Sequence, residues 1–388
     1  MKNRNRTLAL LLSLVLALSL CACKPGEQAD SSDPPSASPD PSAAPTIEVD
    51  LTQDAVAFSA GLSPADVLLT VNGEDIPADL FLYWLFGDCY NFEYYYYYYG
   101  VTVADFADAL LEDTMDMAAY YTVMRQRAAQ LGCLPTDAQK QEVTEELMAD
   151  GQAYYDSLRT AYGLSEESMT YLTTISCYYE NLLDATFPTV TDEMLDGFVY
   201  QVKHILLQTV DSQNQPLSDD EIAAQRALAE DILSRLQAVE GEELTELFDE
   251  LMNQYSEDPG LASYPDGYTA VPGDMVPEFE ETSLALPIGG LSGIVESSYG
   301  YHIILRGEVE NIDDYIDDCR TYYLDSELEE LMNAAEITRA DALLTNLDVA
   351  EFYERYFAYQ SAVMEEYFAS VEGEGSGGGD PVYGDGDD

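Results

Sequence analysis

The chain has 388 residues, 47% hydrophobic and 23% charged, enough for two domains with a sizeable core and too apolar for disorder throughout. Fifteen Lys and Arg stand against 74 Asp and Glu, a formal net charge of −59, so the surface would repel phosphate backbones and the composition argues against nucleic-acid binding. With 30 tyrosines and one tryptophan, aromatic packing rests on tyrosine, and each buried ring brings a hydroxyl to satisfy.

Residues 1–22 read as an export signal, with Lys2, Arg4 and Arg6 before an apolar run, Thr7 to Leu20, that is short for a membrane span. Leu20-Cys21-Ala22-Cys23 resembles the lipobox of bacterial lipoproteins. That resemblance implies lipidation of Cys23 and a chain tethered outside the cytoplasmic membrane; the alternative is a plain signal peptide with an incidental cysteine. No later segment approaches ~18 uninterrupted apolar residues. Residues 23–50 are rich in Pro, Ser, Ala and Asp and are expected to be a flexible linker. Residues 371–388, glycine-rich and acidic without a base, are expected to be a disordered tail. Cys89, Cys133, Cys177 and Cys319 show no metal-like spacing and are read as small buried hydrophobes, with disulfides left open.

Val67 to Glu74 predicts a strand running into an Asn-Gly turn. Apolar spacings of three, four and seven predict helices over Ala78–Phe86 and Val103–Gln130, then one from Thr136 to Met148 and one over Glu166–Leu183. These make residues 51–197 a helical region. The run Tyr94 to Tyr99 has two readings: a helix end packed on both faces, or a substrate-facing aromatic patch. From Phe198 the pattern changes. A strand over Val199–Leu207 is followed by helices opening at Ser218 and Glu243, a Gly/Pro-rich stretch from Pro259 to Gly273, and a short helix around Phe279. Two strand runs, Gly293–Glu296 and Tyr301–Arg306, close a compact α+β domain over residues 198–309. Residues 310–370 read as helical again. If the first and last strands of the α+β domain are neighbours, it can sit as an insertion in a module built from both flanks.

The chain's two histidines, His204 and His302, each lie in a terminal strand of that domain. A zinc site is disfavoured, because there is no HExxH, no close His pair and no nearby Cys. A surface histidine on each strand, a hydrogen-bonded structural pair and a catalytic pair all remain. Val202-Lys-His-Ile-Leu-Leu, Gln254-Tyr-Ser-Glu-Asp-Pro, Gly273-Asp-Met-Val-Pro-Glu-Phe-Glu and Leu286-Pro-Ile-Gly-Gly with Ser298-Tyr-Gly-Tyr-His-Ile-Ile resemble four ordered blocks of the parvulin-type peptidyl-prolyl isomerases. The signal and helical flanks are similar to those of PrsA/SurA-like foldases.

The resemblance implies a parvulin-like domain, a small antiparallel sheet flanked by helices, set in a mostly α-helical chaperone module. It implies catalytic roles for His204, His302, Asp258 and Ser297, and a proline pocket from Met275, Phe279 and Val276 with Tyr268 at its rim. No cofactor and no metal are implied. The partners would be unfolded exported proteins carrying X-Pro bonds. Val276 stands where Gln is common in the family, the turn at Ser263–Tyr268 departs from its glycine-rich form, and Gln208 to Pro216 lacks the bases of phospho-specific members. The alternative function is a non-catalytic holdase that keeps the isomerase fold as a binding platform.

Overall fold

The computed structural model describes residues 47–375; Cys23, the export signal, most of the linker and residues 376–388 lie outside the described residues. The chain divides into two compact units, one spanning residues 186–326 and the other built from the sequence on both sides of it.

The flanking unit begins with α1 (Ala55–Ala60), capped by the Asp54 carboxylate on the Ala57 N–H. A hairpin follows: β1 (Val67–Val71) and β2 (Glu74–Pro77) meet across Asn72 and Gly73, both with positive φ, as the Asn-Gly signal requires. Next come α2 (Ala78–Tyr96), a 3₁₀ turn at Tyr97–Tyr99, a second at Val103–Phe106, α3 (Ala107–Leu131), α4 (Asp137–Leu147), α5 (Gln152–Ala161), α6 (Glu166–Thr173) and α7 (Ile175–Thr186). The single helix expected over Glu166–Leu183 is therefore two. The break falls at Thr174, whose hydroxyl turns back onto the Thr170 carbonyl at 2.7 Å beside the β-branched neighbours Thr173 and Ile175.

The central unit holds α8 (Asp192–Phe198), β3 (Tyr200–Gln208), α9 (Asp219–Leu236), α10 (Glu242–Tyr255), β4 (Tyr268–Ala270), α11 (Pro277–Ala285), β5 (Val295–Glu296), β6 (Gly300–Gly307) and most of α12 (Ile316–Asn333). Ser218 and Glu221 form the capping box that opens α9. The sheet is antiparallel with order β4-β3-β6-β5. The first and last long strands are neighbours, with Gln201 opposite Gly307 and Gln208 opposite Gly300. Strand alternation sends Ile205, Leu207, Tyr301, Ile303 and Leu305 into a core with α9 and α10. The other face carries Tyr200, Val202 and Ile304 and packs against Phe279 of α11. β4 lies in the stretch read as a Gly/Pro-rich loop; three residues are too few for alternation to register.

The returning chain corrects the expectation that everything after Asn311 is helical. β7 (Ile337–Arg339) pairs antiparallel with β1, putting Val71 opposite Ile337, and is followed by α13 (Asp341–Leu344) and α14 (Val349–Gly375). The last helix runs past Ser370 to Gly375, into the stretch read as tail. α14 buries Phe352, Tyr356 and Tyr359. The hydroxyl of Tyr356 donates to the Tyr162 carbonyl at 2.7 Å and that of Tyr359 to the Gln53 carbonyl at 2.8 Å, while that of Tyr353 donates to the Glu93 carboxylate, so these buried rings meet their polar demand inside the protein. The four described cysteines are free: Cys89 and Cys319 are buried, and Cys133 and Cys177 only half-buried. No helix among the described residues is long and apolar enough to cross a membrane.

Candidate active site

His204 lies opposite Ile304 and His302 opposite Leu206, so the two histidines are diagonal neighbours on one face of the β3–β6 ladder. Their Nδ1 atoms are 3.2 Å apart. His204 Nε2 lies 3.1 Å from Asp258 Oδ2, an oxygen that also accepts the Tyr268 hydroxyl at 2.6 Å. Asp258 Oδ1 accepts the Gly260 N–H at 3.0 Å. At the other end, His302 Nε2 is 2.7 Å from Ser297 Oγ, which accepts the Tyr299 N–H at 3.1 Å.

With both imidazoles neutral, one proton order satisfies every contact. An ionised Asp258 only accepts, so His204 donates through Nε2 and accepts at Nδ1. His302 then donates through Nδ1 and accepts the Ser297 hydroxyl at Nε2. The electrostatics agree with this order. Burial alone would raise the Asp258 carboxyl, but its hydrogen bonds from His204, Tyr268 and the Gly260 N–H outweigh that and hold it at about 2. Burial, with the neighbouring His204, pushes His302 down to about 4, so it is neutral at physiological pH. Burial and the bond to Asp258 push the Tyr268 phenol up, keeping it a donor.

The apolar part sits against this chain. Phe279 is buried and meets both imidazoles edge to face, with ring centroids 5.1 Å from His204 and 5.3 Å from His302. Met275 and Val276 pack half-buried on the same cluster. The structure thus brings together Asp258, His204, His302, Ser297 and Tyr268 in one hydrogen-bonded array, with Phe279, Met275 and Val276 beside it. Tyr268 is more than a rim residue, since its hydroxyl is bonded to Asp258.

Sequence reasoning missed the backbone donors of Gly260 and Tyr299 and the packing of Leu284, Leu286 and Val295 on the Phe279 cluster. Gly260 carries a readable reason in the structure: a Cβ there would come within 2.0 Å of the Tyr268 hydroxyl. Arg306 was also unforeseen. It is buried on β6 and donates to the carbonyls of Leu284 and Leu286 at 2.8 Å and of Asp196 at 2.7 Å. It thereby fixes the end of α11, the helix that carries Phe279. Near the first strand, Lys203 pairs with Asp249 at 2.6 Å, and Arg226 of α9 pairs with Glu230 at 3.1 Å.

Residues 204–308 match the family described as Rotamase, the PPIC-type PPIASE domain, and this part of the chain is a parvulin-type domain. The foldase protein PrsA of Halalkalibacterium halodurans is 33% identical over 161 residues, covering 39% of this chain and 44% of that protein. The chaperone SurA of Hahella chejuensis is 40% identical over 105 residues, 27% of this chain and 21% of that protein. The chain therefore spans less than half the length of these curated relatives. Among solved structures, peptidylprolyl isomerase PrsA from Bacillus cereus aligns with 76% of this chain and 99% of its own at 20% identity and a TM-score of 0.33.

Proposed function

We propose that the chain is a peptidyl-prolyl cis/trans isomerase and folding chaperone for exported proteins, held outside the cytoplasmic membrane by a lipid on Cys23. The observation that carries the isomerase reading is the continuous Asp258–His204–His302–Ser297 array lying against Phe279. An X-Pro bond isomerises over tens of seconds because amide resonance resists twisting, and no bond need break. Phe279, Met275 and Val276 would receive the pyrrolidine ring. The imidazole pair, oriented by Asp258, Tyr268 and Ser297, would present a fixed field to the twisting carbonyl. Asp258 serves as an acceptor that orients His204. An unphosphorylated substrate suits the site, since Lys203 and Arg226 are already paired.

The test is turnover of a proline peptide in a protease-coupled assay. Phe279→Ala and His302→Ala should each lower it at least about tenfold, and phosphorylation before proline should give no gain. A strong preference for the phosphopeptide would overturn the substrate assignment. The tether is tested by Cys23→Ala, which should release the protein from membranes or leave it unprocessed; full processing with unchanged retention would refute it.

The exposed tyrosines of the flanking unit favour a second reading, a holdase that needs no catalysis. Under it, the wild-type chain would suppress client aggregation without turning over proline peptides, and His302→Ala would leave that suppression intact.

A further inference from the structure

Five tyrosines of the run after Glu93 lie outside the core that one reading expected them to fill. Tyr94, Tyr95, Tyr96, Tyr98 and Tyr99 are between 48% and 78% exposed. Their rings lean on one another instead: Tyr94 meets Tyr95 edge-on at 5.4 Å, and Tyr96 lies 6.2 Å from Tyr99. Tyr96 stacks on Phe92 at 4.8 Å, and Phe92 packs at 5.1 Å on Phe106, itself exposed. The result is an open array of aromatic faces running from the end of α2 to the start of α3.

Its rim is acidic. Glu93, Asp105 and Asp108 are exposed beside it, the Glu93 carboxylate accepting the Tyr353 hydroxyl and that of Asp105 the Thr102 N–H and hydroxyl, and Glu112, Asp113 and Asp116 follow along α3. No Lys, Arg or His occurs between Lys24 and Arg125. The nearest bases in sequence and strand pairing are already taken, with Arg125 on Glu74, Arg127 on Glu327 and Arg339 on Glu112. Tyrosine faces attract cations through the ring quadrupole, and surrounding carboxylates add long-range attraction for positive charge. A second copy of the chain would bring the same acidic rim and be repelled.

We propose that this array docks basic stretches of unfolded polypeptide, segments in which Lys or Arg alternates with apolar residues. The proposal rests on the foldase reading and names the chemistry of the client. The guanidinium and ammonium groups lie over tyrosine faces, their stems cover the rings, and Glu93, Asp105 and Asp108 hold the charge at the edge. The hydroxyls stay in water, so the surface remains wet when empty.

The test uses the full chain and unstructured, proline-free fluorescent peptides identical except for Arg, Gln or Glu at the same positions. Binding is read by anisotropy. The Arg peptide should bind at least about tenfold more tightly than the Glu peptide, and the advantage should shrink with added salt. The triple variant Tyr95→Ser, Tyr98→Ser, Tyr99→Ser should weaken Arg-peptide binding about tenfold, while the corresponding triple Phe variant retains it. Both variants should melt like the wild type and keep full isomerase turnover. Equal binding of Arg and Glu peptides, or an unchanged affinity in the serine variant, overturns the proposal. A wild-type chain that isomerises peptides but neither binds any of them nor suppresses aggregation overturns the chaperone reading itself, and the docking surface with it.

Discussion

Asp258→Asn tests the proton order of the site in a chain that offers an unusually clear readout, because it contains only two histidines. The carboxylate accepts three hydrogen bonds, two at Oδ2 from His204 and Tyr268 and one at Oδ1 from the Gly260 N–H. An amide has one acceptor and one donor end. With its oxygen at the Oδ2 position, the amide NH₂ meets the Gly260 N–H, donor against donor. With its oxygen at the Oδ1 position, the NH₂ faces His204, which must then accept at Nε2 and donate at Nδ1. His302 must in turn accept at Nδ1 and donate from Nε2 to Ser297, so the whole array reverses.

The cost follows from the carboxyl being held at about 2 against an ordinary 3.8, roughly 2 kcal/mol of stability at neutral pH. Isomerase turnover should fall by roughly tenfold or more, as an orienting group for the imidazole field is lost. The ¹⁵N spectrum of the histidine side chains reports the tautomers directly. In the wild type His204 should carry its proton on Nε2 and His302 on Nδ1; in the variant either both reverse or both broaden. Unchanged tautomers together with unchanged turnover would refute the assignment of Asp258 as the group that sets the order.

Two further outcomes are expected. His302 is held at about 4 when folded and at an ordinary 6.5 when unfolded, so the unfolded chain takes up a proton first as the pH falls. The stability this provides is complete above about 6.5 and is lost as the pH drops to about 4, roughly 3 kcal/mol in all; denaturant melts of wild type and His302→Leu across that window should differ in slope, and parallel curves would refute the burial argument. Arg306→Met should cost about 3 kcal/mol, because it strips the N–H donors from the carbonyls of Leu284, Leu286 and Asp196, and it should lower isomerase turnover through a loosened Phe279. A melting temperature equal to the wild type's would show that water replaces the guanidinium at no cost.

The long elements were legible in the sequence because each repeats one signal. The Asn72-Gly73 turn, the Ser218–Glu221 box and the apolar stripe of α10 name their own geometry. The misses are elements whose cause lies far away in the chain. β7 is three residues long and all exposed; it is a strand because β1, some 270 residues earlier, presents an open edge to it. α14 reads as acidic and tyrosine-rich, yet its buried side depends on carbonyls of Gln53 and Tyr162 that no local pattern announces.

The same distinction separates the parts of the site. His204, Asp258, Met275, Phe279 and His302 could be named as candidates because each is a side chain of a type the proposed chemistry needs, set in a recognisable block. Gly260, Arg306 and Val295 could not, because what they contribute is a backbone N–H, a grip on carbonyls and a packing surface. The tyrosine run is the opposite case: conspicuous in the sequence, it was ambiguous because six adjacent rings fit a core or a surface equally well. Only the positions of Phe92 and Phe106 decide it. Phe92 stacks on Tyr96 and packs on Phe106, and Tyr94, Tyr95, Tyr96, Tyr98 and Tyr99 are left facing water. These five exposed rings add little core stability while presenting apolar faces that invite aggregation. Its acidic rim offsets that risk by repelling copies of itself, and the same charge makes the surface selective for cations.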